Sequence, residues 1–426
     1  MGPRIIFTED DLAEMVEAYL EFDEFVFDTE TVGTITRIVN DKDKAALDPL
    51  TNKVIWLSFA GPGRADVIPI GHPHGRLLVR KHTEKYKVPD PKGSVYLRDN
   101  PKAGIKAGDI KPITRSRVVD DQFGPPPKQL TPAQVFAALE PLFFSDRRKI
   151  GHNLKFDLQT IAKYYDWRMP PGPYGDTVVV QHLLNENLYS FQLEQILHKR
   201  YGIEFEQLGV KGVQNFSINK AAVYAIKDSR YTWWLWNDLF PKLEEQNLMG
   251  VFRFEMDVLK VLLPMEKQGV NIDRKRLEEL GEVLEEDMER CKAQLFREAG
   301  KPWDVDAAAA KGWFIYEHLG FEPTEFTKKT HKPSTTAAAI EKFRYKHKMI
   351  KVLLHYSDIK KLHSTYVVSL LQHLSDNDKL HANFKQAGTK TGRFSCSDPN
   401  LQNIPRVTGD PDDRGALIRT MFVAPP

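Results

Sequence analysis

Acidic side chains in the first half of the chain are spaced so that they could share one piece of chemistry. Asp28 and Glu30 stand two residues apart at the end of an apolar run, EFVFD, and side chains at i and i+2 share one face of a strand. Asn153 and Asp157 are four apart, as are Tyr224 and Asp228, and i,i+4 pairs share a helix face. If these segments converge, Asp28, Glu30, Asp157 and Asp228 offer oxygen ligands without His or Cys. Such a set suits hard divalent ions, Mg²⁺ or Mn²⁺. Two such ions are the usual device for in-line phosphodiester cleavage, one activating water and the other stabilising the leaving oxygen. The Tyr224 phenol could orient the attacking water. Each pair alone is a weak signal among 58 acidic residues. The set carries the reading: a strand-borne pair, then two helix-borne pairs.

The elements that must position these residues follow from periodicity and punctuation. The pattern predicts a helix over 10–20 and strands over 24–28, 53–59 and 66–70, a meander at the edge of an α/β sheet. Helices are expected over 131–144, 153–165, 176–184, 191–201 and 219–236, with a short strand or turn at 149–151. Thr131-Pro132 supplies a cap and first-turn proline, and Pro241 marks a turn. From Phe252 onward the pattern is mostly helical. The segment 341–374 is basic through Lys342, Arg344, Lys346, Lys348, Lys351, Lys360 and Lys361, and 389–405 is polar and turn-rich. Residues 76–128 differ, with 13 Lys and Arg against 6 Asp and Glu and seven prolines. They read as a long basic loop, either a solvated insertion or a guide for a DNA backbone.

Composition bounds the rest. A net charge of +2 over 426 residues argues neither for nor against nucleic acid. Cys291 and Cys396 have no second ligand cluster beside them, which excludes a cysteine-based zinc site and suggests a reducing compartment. No apolar run approaches the ~18 residues of a membrane span, and the N-terminus carries no signal-peptide pattern. The expectation is a soluble protein of the cytoplasm of a bacterium or phage-infected cell, without a membrane partner.

The runs FDTET (Phe27 to Thr31), IGHNLKFDL (Ile150 to Leu158) and YAIKD (Tyr224 to Asp228) resemble the three exonuclease motifs of DnaQ-like proofreading domains. The resemblance implies an α/β ribonuclease H-like exonuclease domain, a mixed sheet with flanking helices, working with two divalent metal ions. It implies Asp28, Glu30, Asp157 and Asp228 as metal ligands, Tyr224 positioning the nucleophile, and Asn153 supporting the bound strand or a water. Asp176 is expected to be structural, and His152 a hydrogen-bonded structural histidine rather than a ligand.

The segment TKTGRFSCSDPNLQNIPR (Thr389 to Arg406) resembles the signature of family A DNA polymerases. By itself it reads as a polar connecting loop, although Arg393, Gln402 and Asn403 could donate to minor-groove acceptors that every base pair presents. The resemblance implies Arg393 at the primer terminus, and Asn400, Gln402 and Asn403 lining the template-primer. PMEKQGVNID, KPST and LHSTYV look like the region leading into and forming the thumb, a mainly α-helical part in which Lys360 and Lys361 would grip duplex phosphates. Without the resemblance those lysines read as a solvated helix face. The expected division is an exonuclease domain over 1–245, palm-entry and thumb helices over 246–380, and the start of the polymerase palm over 381–426.

The implied activity is a 3′→5′ proofreading exonuclease in DNA replication that releases 5′-mononucleotides. The partners would be a single-stranded 3′ end and a primer-template duplex. The sequence stops before the catalytic carboxylates of the polymerase family. The expectation is therefore that this chain alone does not extend a primer, that a second polypeptide would carry the rest of palm and fingers, and that residues after about 381 pack poorly. The alternative is a non-catalytic DNA-binding or assembly subunit of a split polymerase. The compact start at the exonuclease suggests a phage origin.

Overall fold

The computed structural model describes residues 4–33, 47–89, 112–204, 212–406 and 414–424. The centre of the expected insertion, 90–111, lies outside the described residues. Backbone contacts divide the chain into two compact units, with the division between Met256 and Asp257.

The first unit is built on strand β2 (Glu24–Val32), in which Phe25, Val26 and Phe27 are all fully buried. Continuous rather than alternating burial means that both faces of the strand are covered. β2 pairs antiparallel with β3 (Lys53–Gly61) and parallel with β9 (Arg148–Gly151). With β1 (Arg4–Ile5), β4 (Arg64–Pro69) and β10 (Tyr174–Asp176) the sheet order is β1-β4-β3-β2-β9-β10. The expected meander is present as β2-β3-β4, but β2 sits inside the sheet. β9 extends the sheet on one side, and β1 covers β4 on the other.

Helices flank this mixed sheet: α1 (Glu9–Leu20), α2 (Pro132–Phe143), α3 (Leu154–Ala162), α4 (Thr177–Leu184), α5 (Leu193–Tyr201) and α6 (Ile218–Glu245). α2 opens at the expected Thr131 cap, and the structure adds a reciprocal bond: the Thr131 hydroxyl accepts from the Gln134 amide and the Gln134 side chain accepts from the Thr131 amide. Tyr19, Phe25, Phe27, Phe59 and Phe143 meet as tilted and edge-on rings in the core. Pro241 does not end α6. Leu235, Trp236, Leu239 and Leu243 bury one continuous face on both sides of it, and this packing outweighs the loss of one amide donor.

The basic loop expected over 76–128 is more regular than its composition suggested. β5 (Leu77–Val79) pairs with β8 (Gln122–Phe123), and β6 (His82–Pro89) pairs antiparallel with β7 (Pro112–Val119) over eight positions. Local composition could not show this pairing, because it joins residues separated by a long intervening stretch.

The long helix α7 (Met249–Gln268) runs across the division between the units. In the second unit, α8 (Arg274–Ala299) starts at Asp273, whose carboxylate accepts from the Arg276 amide, and ends at Gly300 in the left-handed region. α8 packs on α9 (Lys348–Leu362). Leu277, Leu280 and Leu284 share a core with Ile359, Val367 and Leu370. Ile418 and Met421 are buried in that same core, so the region after 381 is partly packed, against expectation. Among the described residues no helix is long and apolar enough to cross a membrane.

Gly175 on β10 illustrates how tightly the sheet is closed. A Cβ there would lie 2.7 Å from the ring of Trp236 and 3.0 Å from Ile150. Both neighbours are fully buried. Gly175→Ala is expected to lower unfolding stability by about 1–3 kcal/mol, read as a fall in denaturant midpoint. An unchanged midpoint would show that Trp236 has room to move.

Candidate active site

β2 and α6 bring three of the four expected carboxylates together. Asp28, Glu30 and Asp228 each offer an oxygen within 4.8 Å of the others. All three are partly exposed. Asp157, on α3, is buried and lies one strand position away. Its Oδ1 accepts from the Thr29 amide at 3.0 Å and from the Thr29 hydroxyl at 2.7 Å. It feels the charge of Asp28 but is not a member of the three-residue group. Tyr224, one turn before Asp228 on α6, donates its phenolic hydrogen bond to Asp228.

One buried carboxylate sets the approach of α3. Asp176 Oδ1 accepts from the Asn153 amide at 3.1 Å and the Val178 amide at 2.8 Å, and Oδ2 from the Leu154 amide at 2.9 Å. It therefore caps α3 and α4 at once and satisfies donors that each helix start leaves open. Asn153 holds the left-handed conformation, with φ 67°, that Asn tolerates better than most residues. Its side chain is exposed and makes no capping bond. His152 is fixed by Thr177 Oγ1 at 2.8 Å and the Phe191 carbonyl at 2.7 Å. Burial lowers its pKa to about 4, so the ring is neutral and occupied by these partners.

The electrostatics are those of like charges crowded into a poorly solvated place. Burial pushes the Asp28 carboxyl up to about 6. Glu30 is held well above the ordinary range by burial, then by Asp28 and by Glu194. Asp228 is raised by burial, then by Asp28, Glu30 and Glu194. Burial, followed by the charges of Asp228 and Glu30, raises the Tyr224 phenol far above its ordinary value, so it remains a hydrogen-bond donor at neutral pH.

Glu194 is a residue that sequence reading missed. It stands in the first turn of α5 and belongs to no recognisable motif, so only the folded arrangement reveals it. It also lines a cleft of about 920 Å³ with Gln181, Asn185, Tyr189, Lys199 and Arg200.

In the second unit the residues singled out around the turn-rich segment are exposed. Arg393, Asn400, Gln402 and Asn403 all face solvent. Two of these side chains are used locally. Asn400 Oδ1 accepts from the Gln402 amide at 3.0 Å, and Gln402 Nε2 donates to the Phe394 carbonyl at 3.0 Å. The backbone at Asn403 is anchored by the Tyr366 hydroxyl, 2.5 Å from its carbonyl oxygen. Lys361 is exposed, whereas Lys360 Nζ lies 2.5 Å from Asp306 Oδ2. The two lysines, expected as equals, therefore differ: a phosphate would have to displace Asp306 to reach Lys360.

The raised carboxyls have a thermodynamic consequence that can be measured without substrate. The Asp28 pKa in the folded state lies above its unfolded value, so the group favours folding at low pH. That contribution is lost as pH rises through about 6. In EDTA, Asp28→Asn is expected to raise the melting temperature by about 2–4 °C at pH 8 and by much less at pH 4, near the unfolded-state pKa. Equal effects at both pH values would show that Asp28 is not under electrostatic stress.

Comparison with known proteins agrees with this arrangement. Residues 274–426 match the family model described as DNA polymerase family A, and residues 121–244 match the one described as 3′-5′ exonuclease. The pair Asp28 and Glu30 lies upstream of the second match. The thermostable DNA polymerase I of Thermus filiformis is 37% identical over 254 residues, covering 59% of this chain and 28% of that protein. DNA polymerase I of Pseudomonas aeruginosa is 30% identical over 312 residues, covering 70% of this chain and 34% of that protein. The chain thus spans between 28% and 34% of the length of these relatives. Among solved structures, the POL domain of Pol1 from M. smegmatis, in complex with a DNA primer-template and dNTP, superimposes with a TM-score of 0.68. It is 18% identical and covers 99% of this chain and 58% of its own, a likeness of fold. With an exonuclease segment followed by a polymerase segment, and DNA polymerase I proteins among its relatives, this chain belongs to the family A DNA polymerases, of the DNA polymerase I-like kind.

Proposed function

We propose that the first unit is a 3′→5′ exonuclease that trims single-stranded or frayed DNA ends to 5′-mononucleotides, as the proofreading part of a replicative family A polymerase. In this reading the exonuclease domain occupies 1–245, palm-entry and thumb helices 246–380, and the beginning of the palm 381–426. The observation that carries the proposal is the meeting of Asp28, Glu30 and Asp228 within 4.8 Å, with Asp157 tied to Thr29 beside them.

The donor set fits two divalent cations, Mg²⁺ or Mn²⁺: carboxylate oxygens alone, with proton affinities raised by burial and, for Glu30 and Asp228, by neighbouring acids. Asp28, Glu30, Asp157 and Asp228 would hold them. The ions would supply water activation and neutralise charge on the leaving oxygen. The chain's own residues do the rest. Tyr224 stays protonated and donates to Asp228, with its phenolic oxygen suited to accepting from and orienting the attacking water. Asn153, exposed at the start of α3, is placed to support the bound strand. Asp176 keeps α3 in register with β10 through its shared capping bonds. In the second unit, Arg393, Asn400, Gln402, Asn403, Lys361 and, after exchange with Asp306, Lys360 are the proposed contacts to a primer-template duplex.

A 5′-labelled oligonucleotide incubated with the chain and Mg²⁺ tests this reading. Stepwise shortening is expected, abolished by EDTA and by the Asp28→Ala, Glu30→Ala double variant. Persistent cleavage in that variant would place the chemistry elsewhere, and no cleavage by the unaltered chain would leave a DNA-binding subunit. Tyr224→Phe is expected to lower kcat by about tenfold or more while leaving the metal concentration for half-activation unchanged. A change in metal dependence alone would instead make Tyr224 a support for Asp228.

A further inference from the structure

The β6–β7 ribbon has no part in the site described above and no counterpart among the elements that position it. Its two strands form a sheet of their own among the described residues. Its root is well defined. The Gly75 amide donates to the Gly124 carbonyl at 2.9 Å, and the Gly124 amide to the Arg76 carbonyl at 2.9 Å. A Cβ at Gly75 would lie 2.1 Å from the Pro125 carbonyl oxygen, so the two chains cross there closer than any other residue permits. Further out, the Lys81 amide donates to Asp121 Oδ1 at 2.6 Å.

The root is also joined to the catalytic helix. The Ile218 amide, in the first turn of α6, donates to the Gly75 carbonyl at 3.1 Å. Asp228 lies ten residues further along the same helix, about 15 Å by helical rise. The ribbon of eight paired positions extends about 27 Å from its root.

Its composition is one-sided. The strands β6 and β7 contain Lys85, Lys87, Arg115 and Arg117 against the single acid Glu84. The register pairs 85 with 116 and 87 with 114, and pairs 84 with 117 and 86 with 115. Positions directly opposite share a face and neighbours alternate. The two lysine positions therefore fall on one face of the ribbon and the two arginine positions on the other.

We propose that this ribbon is a DNA-backbone arm, which lies along a groove of the duplex behind the 3′ end and meets phosphates on both sides. The proposal rests on the exonuclease reading for its ligand. A two-stranded ribbon fits the major groove, whose two walls are phosphate backbones. An arm with basic positions on both faces matches both walls, and contacts to phosphates fix register without reading bases. The contact is independent of base sequence, as an enzyme that trims any 3′ end requires. Its root on α6 fixes the arm's distance from the acids, so backbone held by the arm positions the end being trimmed.

The test is a binding titration with a labelled primer-template in EDTA, so that nothing is cleaved, at several salt concentrations. The variant carries Lys85→Gln, Lys87→Gln, Arg115→Gln and Arg117→Gln, and its thermal midpoint checks the fold. A second variant excises 82–119 and joins Lys81 to Asp120 through two glycines, where the chains are already adjacent. Each variant is expected to bind at least about tenfold more weakly at low salt. The plot of log K against log salt should flatten by about 2–4, since each phosphate neutralised on a duplex contributes about 0.9. Unchanged affinity and slope would overturn the arm. So would a variant that binds as before but self-associates in light scattering, because the charges would then be guarding open strand edges. A wild-type chain that does not bind DNA would remove the exonuclease reading and the arm together, whereas wild-type binding with unaltered variants removes the arm alone.

Discussion

Holding Asp28, Glu30 and Asp228 within 4.8 Å sets negative charge against negative charge where water reaches only part of each group. Nothing about the three side chains favours that arrangement, and the surrounding fold is what enforces it. β2 is locked between an antiparallel and a parallel neighbour, so Asp28 and Glu30 cannot retreat along the sheet. α6 is 28 residues long and buries Ala221, Ala225, Thr232, Leu235 and Trp236, which holds Asp228 opposite them. Burial first, and neighbouring acids second, raise the proton affinities of these side chains. A divalent cation would convert the same geometry from a strain into a stabilising contact.

The neighbouring carboxylates are treated differently, and the difference separates scaffold from site. Asp176 is buried, which raises its pKa, while amide donors from two helix starts favour its charged form and make it a structural centre. Asp157 commits one oxygen to Thr29 and keeps the other toward its own surroundings, a mixed role. Asp28, Glu30 and Asp228 sit together with Tyr224 as a donor. The same chemical group thus acts as a helix cap, a tether or a candidate ligand, according to the number of donors aimed at it.

The second unit follows another logic. Its helices bury leucine-rich faces, while the segment Thr389 to Arg406 buries Cys396, rests Leu401 and Ile404 against the helical core and is anchored by Tyr366. Polar side chains in that segment hold its own turns, as Asn400 does for the turn at Leu401–Asn403. Ser395–Ser397 pairs with Asn383–Lys385 and Leu401–Asn403 forms a single 3-10 turn, so the exposed polar groups of the segment stand on a short ladder and a capped turn.

Much of this was legible in the chain itself. The strand bearing Asp28 and Glu30, the helix pair Tyr224/Asp228 and the cap at Thr131 are local patterns, and local patterns survive in a linear text; Asn153, read as sharing a helix face with Asp157, instead precedes the helix in the left-handed conformation. The resemblance of three short motifs and of one long signature fixed the family before any contact was known. What the chain could not show were matters of distance and competition. Glu194 adds charge to the acidic group only because α5 folds beside α6. Lys360 is occupied and Lys361 is exposed only because Asp306 lies next to one of them. Pro241 stays helical because the buried face on each side of it outweighs one missing donor. The basic stretch becomes a ribbon because residues 82–89 find 112–119 across a gap that no local propensity spans. Sequence by itself determined which groups are present and how each segment curls. Tertiary structure decided which of them meet and which are already engaged, because burial and electrostatic coupling depend on positions in space that no single segment contains.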